Sequence, residues 1–197
     1  MIMKKALCFA LVFLSMITSV FPANAAKRFV FRNNITWGMS SELVQLYEDF
    51  AEVYKENTYS WMYYENIRVS SYSMTLEYQF VDNKLVSAVY NTPFSSKLEL
   101  HTAFENLRKV YISKYGNCSL NFSVASDCIY RFYNYVEADL MTKSKATTFV
   151  TNSFFWLLDD TLILLFDQED DSQDAYGVYI FYISRDIPDP DNDTTGI

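Results

Sequence analysis

SYSMTLEYQFVDNKLVSAVY, residues 71–90, is a β-hairpin written in one run of sequence. Tyr72, Met74, Leu76, Tyr78 and Phe80 alternate with Ser73, Thr75, Glu77 and Gln79, the period-two pattern of a strand with one buried face. Asp82 and Asn83 tolerate positive φ and suit a tight turn, and Lys84 to Tyr90 resumes as a β-rich segment. A two-residue loop places Phe80 opposite Leu85 and Leu76 opposite Val89. Pro93 closes the unit.

Elements on either side extend the pattern. Upstream, Tyr59, Trp61 and Tyr63 alternate with Ser60, Met62 and Tyr64 in a further strand. Before that, Ser40 or Ser41 caps a helix whose Leu43, Leu46, Tyr47 and Phe50 share a face, with no clear stop signal between Phe50 and Asn57. Downstream, a long helix is predicted from about Ser96 to Tyr115, with Leu100, Phe104, Leu107, Tyr111 and Tyr115 as its buried stripe and Gly116 as its left-handed stop.

Ile129, Phe132, Val136 and Leu140 then fit a helical step between Asp127 and Met141, although Tyr130, Tyr133 and Tyr135 also suit a strand. Thr147 to Leu158, Thr161 to Phe166 and Ala175 to Ile183 read as strands, with Asp159-Asp160 as a turn and residues 167–174 as an acidic loop. The order predicts an α+β domain over residues 26–186. It has two halves, each a helix followed by about three strands, with the helices on one face of an antiparallel meander. From Ile187 onward, a Pro- and Asp-rich tail has too little apolar surface to order itself.

The first 25 residues fix the compartment. Lys4 and Lys5 precede the apolar run Ala6 to Ile17, and Ala23-Asn24-Ala25 is a small-x-small cleavage site. The run is too short for a membrane span, so the chain is expected to be exported, secreted or periplasmic, with residues 1–25 removed. Losing Lys4 and Lys5 takes the net charge from −8 to −10, 14 basic against 24 acidic residues. A surface this acidic repels phosphate backbones and anionic lipid, so neither nucleic acid nor an anionic bilayer is expected as a partner. Cys8 leaves with the leader. Cys118 and Cys128, with nine residues between them in an oxidising compartment, are the expected disulfide, a bridge that stabilises by roughly 3 kcal/mol on the chain-entropy model.

Phe31-Arg32, Trp37-Gly38-Met39-Ser40 with Val44, Leu76-Glu77-Tyr78-Gln79-Phe80 and Asn83-Lys84-Leu85 together resemble exported bacterial proteins of uncharacterised function. In those proteins a WGMS-type helix start precedes an L-x-Y-x-F hairpin. More distantly, the helix-then-strands repeat is similar to the SmpA/OmlA envelope domains and to β-lactamase inhibitor proteins. That resemblance implies action by binding other proteins, and it carries no catalytic residue to transfer.

The chemistry-bearing residues are sparse. The single histidine, His101, falls at the edge of a helical stripe, and nothing near it in sequence suggests an orienting partner or a nucleophile turn. Residues 167–174 are rich in oxygen donors, but Ser172 and Val178 stand where an EF-hand needs glycine and glutamate. No catalytic residue, metal or cofactor is therefore expected. The aromatic load asks for more explanation. The last strand is apolar on both faces, Val178, Ile180 and Tyr182 alternating with Tyr179, Phe181 and Ile183. Helices can cover one of them, and the other must meet a second layer, a partner or water.

The expectation is a non-enzymatic binding module for another envelope or extracellular protein, with Trp61, Tyr63, Tyr179 and Phe181 at the contact surface. The alternative is a carbohydrate-binding or carbohydrate-active protein that uses Trp37, Trp61 or Trp156 as a stacking platform beside acids.

Overall fold

The computed structural model describes residues 29–48, 52–56, 59–136, 141–170, 172 and 175–189; the leader expected at residues 1–25 lies outside them. The element order is α1 (Ser41–Tyr47), β1 (Glu52–Glu56), β2 (Tyr59–Val69), β3 (Tyr72–Val81), β4 (Lys84–Phe94), α2 (Lys97–Tyr115), α3 (Phe122–Tyr135), α4 (Lys143–Thr151), β5 (Phe154–Leu157), β6 (Thr161–Asp170) and β7 (Ala175–Ser184). The strands form one seven-stranded antiparallel sheet in the order β1-β2-β3-β4-β7-β6-β5. Each half of the chain is a meander, and the last strand of each, β4 and β7, zips the two together. The α+β class read from the sequence is the observed one.

Local chemistry explains the boundaries. Ser40 caps α1 by accepting from the Leu43 N–H, Ser96 caps α2 through Glu99, and Gly116 stops α2 at φ 83°. Asp82 and Asn83 take φ of 48° and 57° in the β3–β4 turn. That turn docks on α1: Asn83 Oδ1 accepts from the Ser41 N–H at 2.9 Å and its hydroxyl at 2.8 Å. Leu85 donates to the Met39 carbonyl and accepts from the Gly38 N–H. The Trp37-Gly38-Met39-Ser40 segment and the hairpin are thus one interlocked unit.

Several expectations are corrected. Phe80 does pair with Leu85, but a β-bulge at Val86 shifts the rest, so Leu76 faces Tyr90 rather than Val89. The helix expected across Asp127–Met141 runs instead from Phe122 to Tyr135. Thr147 to Val150, read as strand, lies in α4. There the Thr147 and Thr148 hydroxyls donate to carbonyls one turn back at 3.0 and 3.1 Å, which lets β-branched residues sit in a helix. Strand β1 went unread in a stretch that lacked any stop signal. Ile187, assigned to the tail, is buried, and its carbonyl accepts from Arg131 at 2.8 Å.

The largest correction concerns layers. The expectation of helices on one face gives way to helices on both. On the first face α1 and α2 pack Val44, Leu100, Leu107 and Tyr111 against Met62, Leu76, Tyr78, Tyr90, Ile163 and Ile180. On the second, α3 and α4 pack Ala125, Ile129, Phe132, Ala146 and Val150 against Val86, Leu162, Leu164 and Ile183. This second layer answers the two-sided apolarity of β7.

The crossing between layers also separates the cysteines. The α2–α3 connection runs along the β5 edge, where Ser119 donates its N–H to the Phe155 carbonyl at 2.8 Å and accepts the Leu157 N–H on its hydroxyl. Cys118 packs against the first cluster and Cys128 lies buried in the second, so the expected bridge is replaced by two separate thiols.

Candidate binding face

The interior of the first face is polar at one point, and that point is structural. Glu48, 5 % exposed, accepts from Arg32 Nε at 2.9 Å and from the Tyr78 hydroxyl at 2.7 Å, while its second oxygen accepts from Asn33 Nδ2 at 3.1 Å. Burial, with Glu48 adding to it, pushes the Tyr64 phenol up to about 12. Burial also raises Tyr90 to about 12, against an opposing pull from Arg32. Beside this network the Tyr111 and Tyr182 hydroxyls meet at 2.6 Å, sealed under α2. These groups knit the core together and are closed to a ligand.

Two of the three tryptophans are likewise structural. Trp156, 1 % exposed, donates to the Gly116 carbonyl at 2.8 Å. Trp37 donates to Thr161 Oγ1 at 2.7 Å and stacks on Phe29. Trp37 also lines a cavity of about 820 Å³ at the turn end of the sheet, together with Asp82, Asp159, Asp160 and Asp186. Asp160 is committed there, since its oxygens accept from the Phe29 N–H and the Thr161 hydroxyl, both at 2.9 Å.

Trp61 and Tyr63 have another setting. Strand register carries three rows of side chains across the second face of the sheet. The first is Tyr63, Glu77, Val89, Phe181, Leu164 and Phe155. The second is Trp61, Gln79, Ser87, Ile183, Leu162 and Leu157, and the third is Thr75, Asn91, Tyr179 and Phe166. Every row changes character midway. Where α3 and α4 lie over β5, β6 and β7 the residues are apolar or aromatic, and buried or half-buried. Over β2 and β3 they are aromatic or polar and partly open, with Tyr63 37 % exposed.

The four residues expected at a contact surface thus share one sheet face but divide between its halves. Phe181 is covered: its ring meets Phe132, Phe149 and Phe166 at 5.2 to 6.5 Å under α3 and α4. Half-buried in that cluster, it serves as packing for the α3–α4 layer. Tyr179 marks the border, stacked on Phe166 at 5.2 Å with the rings 8° from parallel. Trp61 and Tyr63 belong to the open half. Between them Glu77 accepts from Gln79 Nε2 at 2.7 Å, and Gln79 in turn accepts from the Ser87 hydroxyl.

The open half ends at β1, which among the described residues has a single strand neighbour, β2. The opposite edge, β5, is covered by Ser119. One end of the sheet therefore offers an edge and the other does not.

Sequence reasoning missed one further constellation. α2 lies over the face of β6 from which Asp167 and Glu169 project, and it brings His101 to both, their ligand atoms all within 4.8 Å. Separations of 66 and 68 residues hid this triad from any sequence motif. Comparisons with protein-family models, with curated proteins and with solved structures returned no match.

Proposed function

We propose that the protein is an exported, non-enzymatic binding module that docks an extended, basic segment of another envelope protein on the open half of its second sheet face. The observation that carries this reading is the change of character along the three cross-strand rows, from apolar under α3 and α4 to Trp61, Tyr63, Thr75, Glu77 and Gln79 beyond them. A polypeptide that adds to β1 gains main-chain hydrogen bonds from the edge and lays its alternate side chains along the same sheet. Large rigid rings then bury area at low entropic cost. Glu77 within the patch and a net charge of −10 after loss of residues 1–25, 14 basic against 24 acidic residues, favour Lys or Arg in the docked segment, and both cations also pack well over Trp and Tyr rings. Export rests on the leader-like residues 1–25.

The test is photo-crosslinking from a photoreactive phenylalanine at position 63 in the secreting cell, with the attached peptide identified by mass spectrometry and resynthesised. The synthetic peptide should bind the mature protein, and Trp61→Ala with Tyr63→Ala should weaken it about 30-fold, the loss of one ordinary hot spot. Equal affinity for the double variant would contradict the proposal. So would a carbohydrate as the crosslinked species, which would replace the polypeptide by a sugar.

A further inference from the structure

We propose that His101, Asp167 and Glu169 form a binding site for a divalent transition-metal ion, Zn²⁺ before all others, on the opposite face of the sheet from Trp61 and Tyr63. Asp167 and Glu169 lie two residues apart on β6, so their side chains leave the same face. α2 crosses that face and presents His101 to them, one turn after Lys97. His101 Nε2 stands 3.3 Å from Glu169 Oε1. A tetrahedral ion with bonds of about 2.0–2.1 Å sets neighbouring ligand atoms about 3.3 Å apart, so this pair already has the spacing of two ligands. Asp167 supplies the third within the 4.8 Å cluster, a distance that side-chain rotation closes.

The donor set selects the ion. One imidazole and two carboxylates match Zn²⁺ or Mn²⁺, whereas Ca²⁺ takes six to eight oxygens and has no use for an imidazole. Three protein ligands leave a position for water, and the 60 % exposure of the His101 side chain gives the ion a path of entry. Lys97 Nζ, 3.2 Å from Glu169 Oε2, is the counter-ion that the metal displaces. Its side chain is 45 % exposed.

His101 is the sole histidine of the chain, so in an untagged protein its ring resonances report on the site without ambiguity. Titration of the untagged mature protein with Zn²⁺, followed by calorimetry and by those resonances, should show one saturable site and a shift of the His101 ring. His101→Ala and Glu169→Gln should each weaken binding at least about tenfold with unchanged circular dichroism. Lys97→Gln should strengthen it about twofold to fivefold. Zn²⁺ that binds without moving the His101 resonances, or equally well in His101→Ala, is an adventitious ion only and overturns the proposal. Absence of tightening in Lys97→Gln would overturn the part assigned to Lys97.

Discussion

The two halves of the second sheet face share strands, register and a continuous row structure, yet one is core and the other is surface. Phe181 and Tyr63 stand in the same cross-strand row, separated only by Val89 and Glu77. What distinguishes them is the α3–α4 pair, which reaches over β7, β6 and β5 and stops short of β2 and β3. An aromatic residue in a strand therefore carries no functional meaning until the layer above it is known. The same ring is packing under a helix and stays partly open beyond it.

Substitution makes that contrast measurable. Phe181→Ala removes a ring that touches Phe132, Phe149 and Phe166, and it should cost about 3 kcal/mol of unfolding free energy in denaturant titration. Tyr63→Ala on the open half should cost less than about 0.5 kcal/mol. Similar costs at the two positions would mean that the open half is packed as well.

High pH should strike the covered tyrosines next. The folded protein holds Tyr64 and Tyr90 at about 12, above the value near 10 of an unfolded chain, so it favours their neutral forms. The stability this supplies is fully present below about pH 10 and is lost as the pH climbs through 12. Denaturant midpoints measured across that window should fall while ultraviolet difference absorbance records tyrosinate formation with the same midpoint. Tyrosinate formed well before any loss of stability would show these phenols to be open to water.

The cysteines sharpen the picture of the α3 layer. Burial pushes the Cys128 thiol up to about 12, with Arg131 and Arg185 only partly opposing it, whereas Cys118 is half-buried in a connection. A thiol reagent should label Cys118 in the native mature protein and Cys128 only as fast as the protein unfolds. Denatured mature chain should titrate two thiols; none would restore the bridge that the cysteine spacing suggests.

The smallest effect belongs to Trp61. Trp61→Ser should leave the denaturant midpoint within about 0.5 kcal/mol of wild type while it weakens the docked peptide. A large loss of stability would move Trp61 into the covered half.

Much of this architecture was legible in the chain, and the exceptions have physical causes. Alternation along Tyr72 to Phe80, the Asp82-Asn83 turn, a serine cap at position 40 or 41, a helix start near Ser96 and the Gly116 stop are local signals, and all of them appear in the fold. The bulge at Val86 leaves no local signal, because its extra residue is as β-prone as its neighbours. α4 was hidden by its threonines, whose hydroxyls return to the helix backbone. α3 was read as a helix but not assigned to the second face, and with α4 unread that misplaced Phe181. The aromatic alternation of β2 and β7 was read correctly, but which rings are covered is decided by helices distant in sequence. His101 is the same lesson reversed: nothing beside it in sequence is a ligand, and α2 carries it to Asp167 and Glu169.

The proposed docking surface is the β2–β3 end of the second face, not the β7–β5 end. Photo-crosslinking in the secreting cell from position 63, with position 110 on the outer side of α2 as control, tests it most directly; Val110 is 40 % exposed, close to the 37 % of Tyr63. This assignment requires that position 63 capture one defined peptide and position 110 none. Equal capture at both positions, or capture at 110 alone, would contradict it.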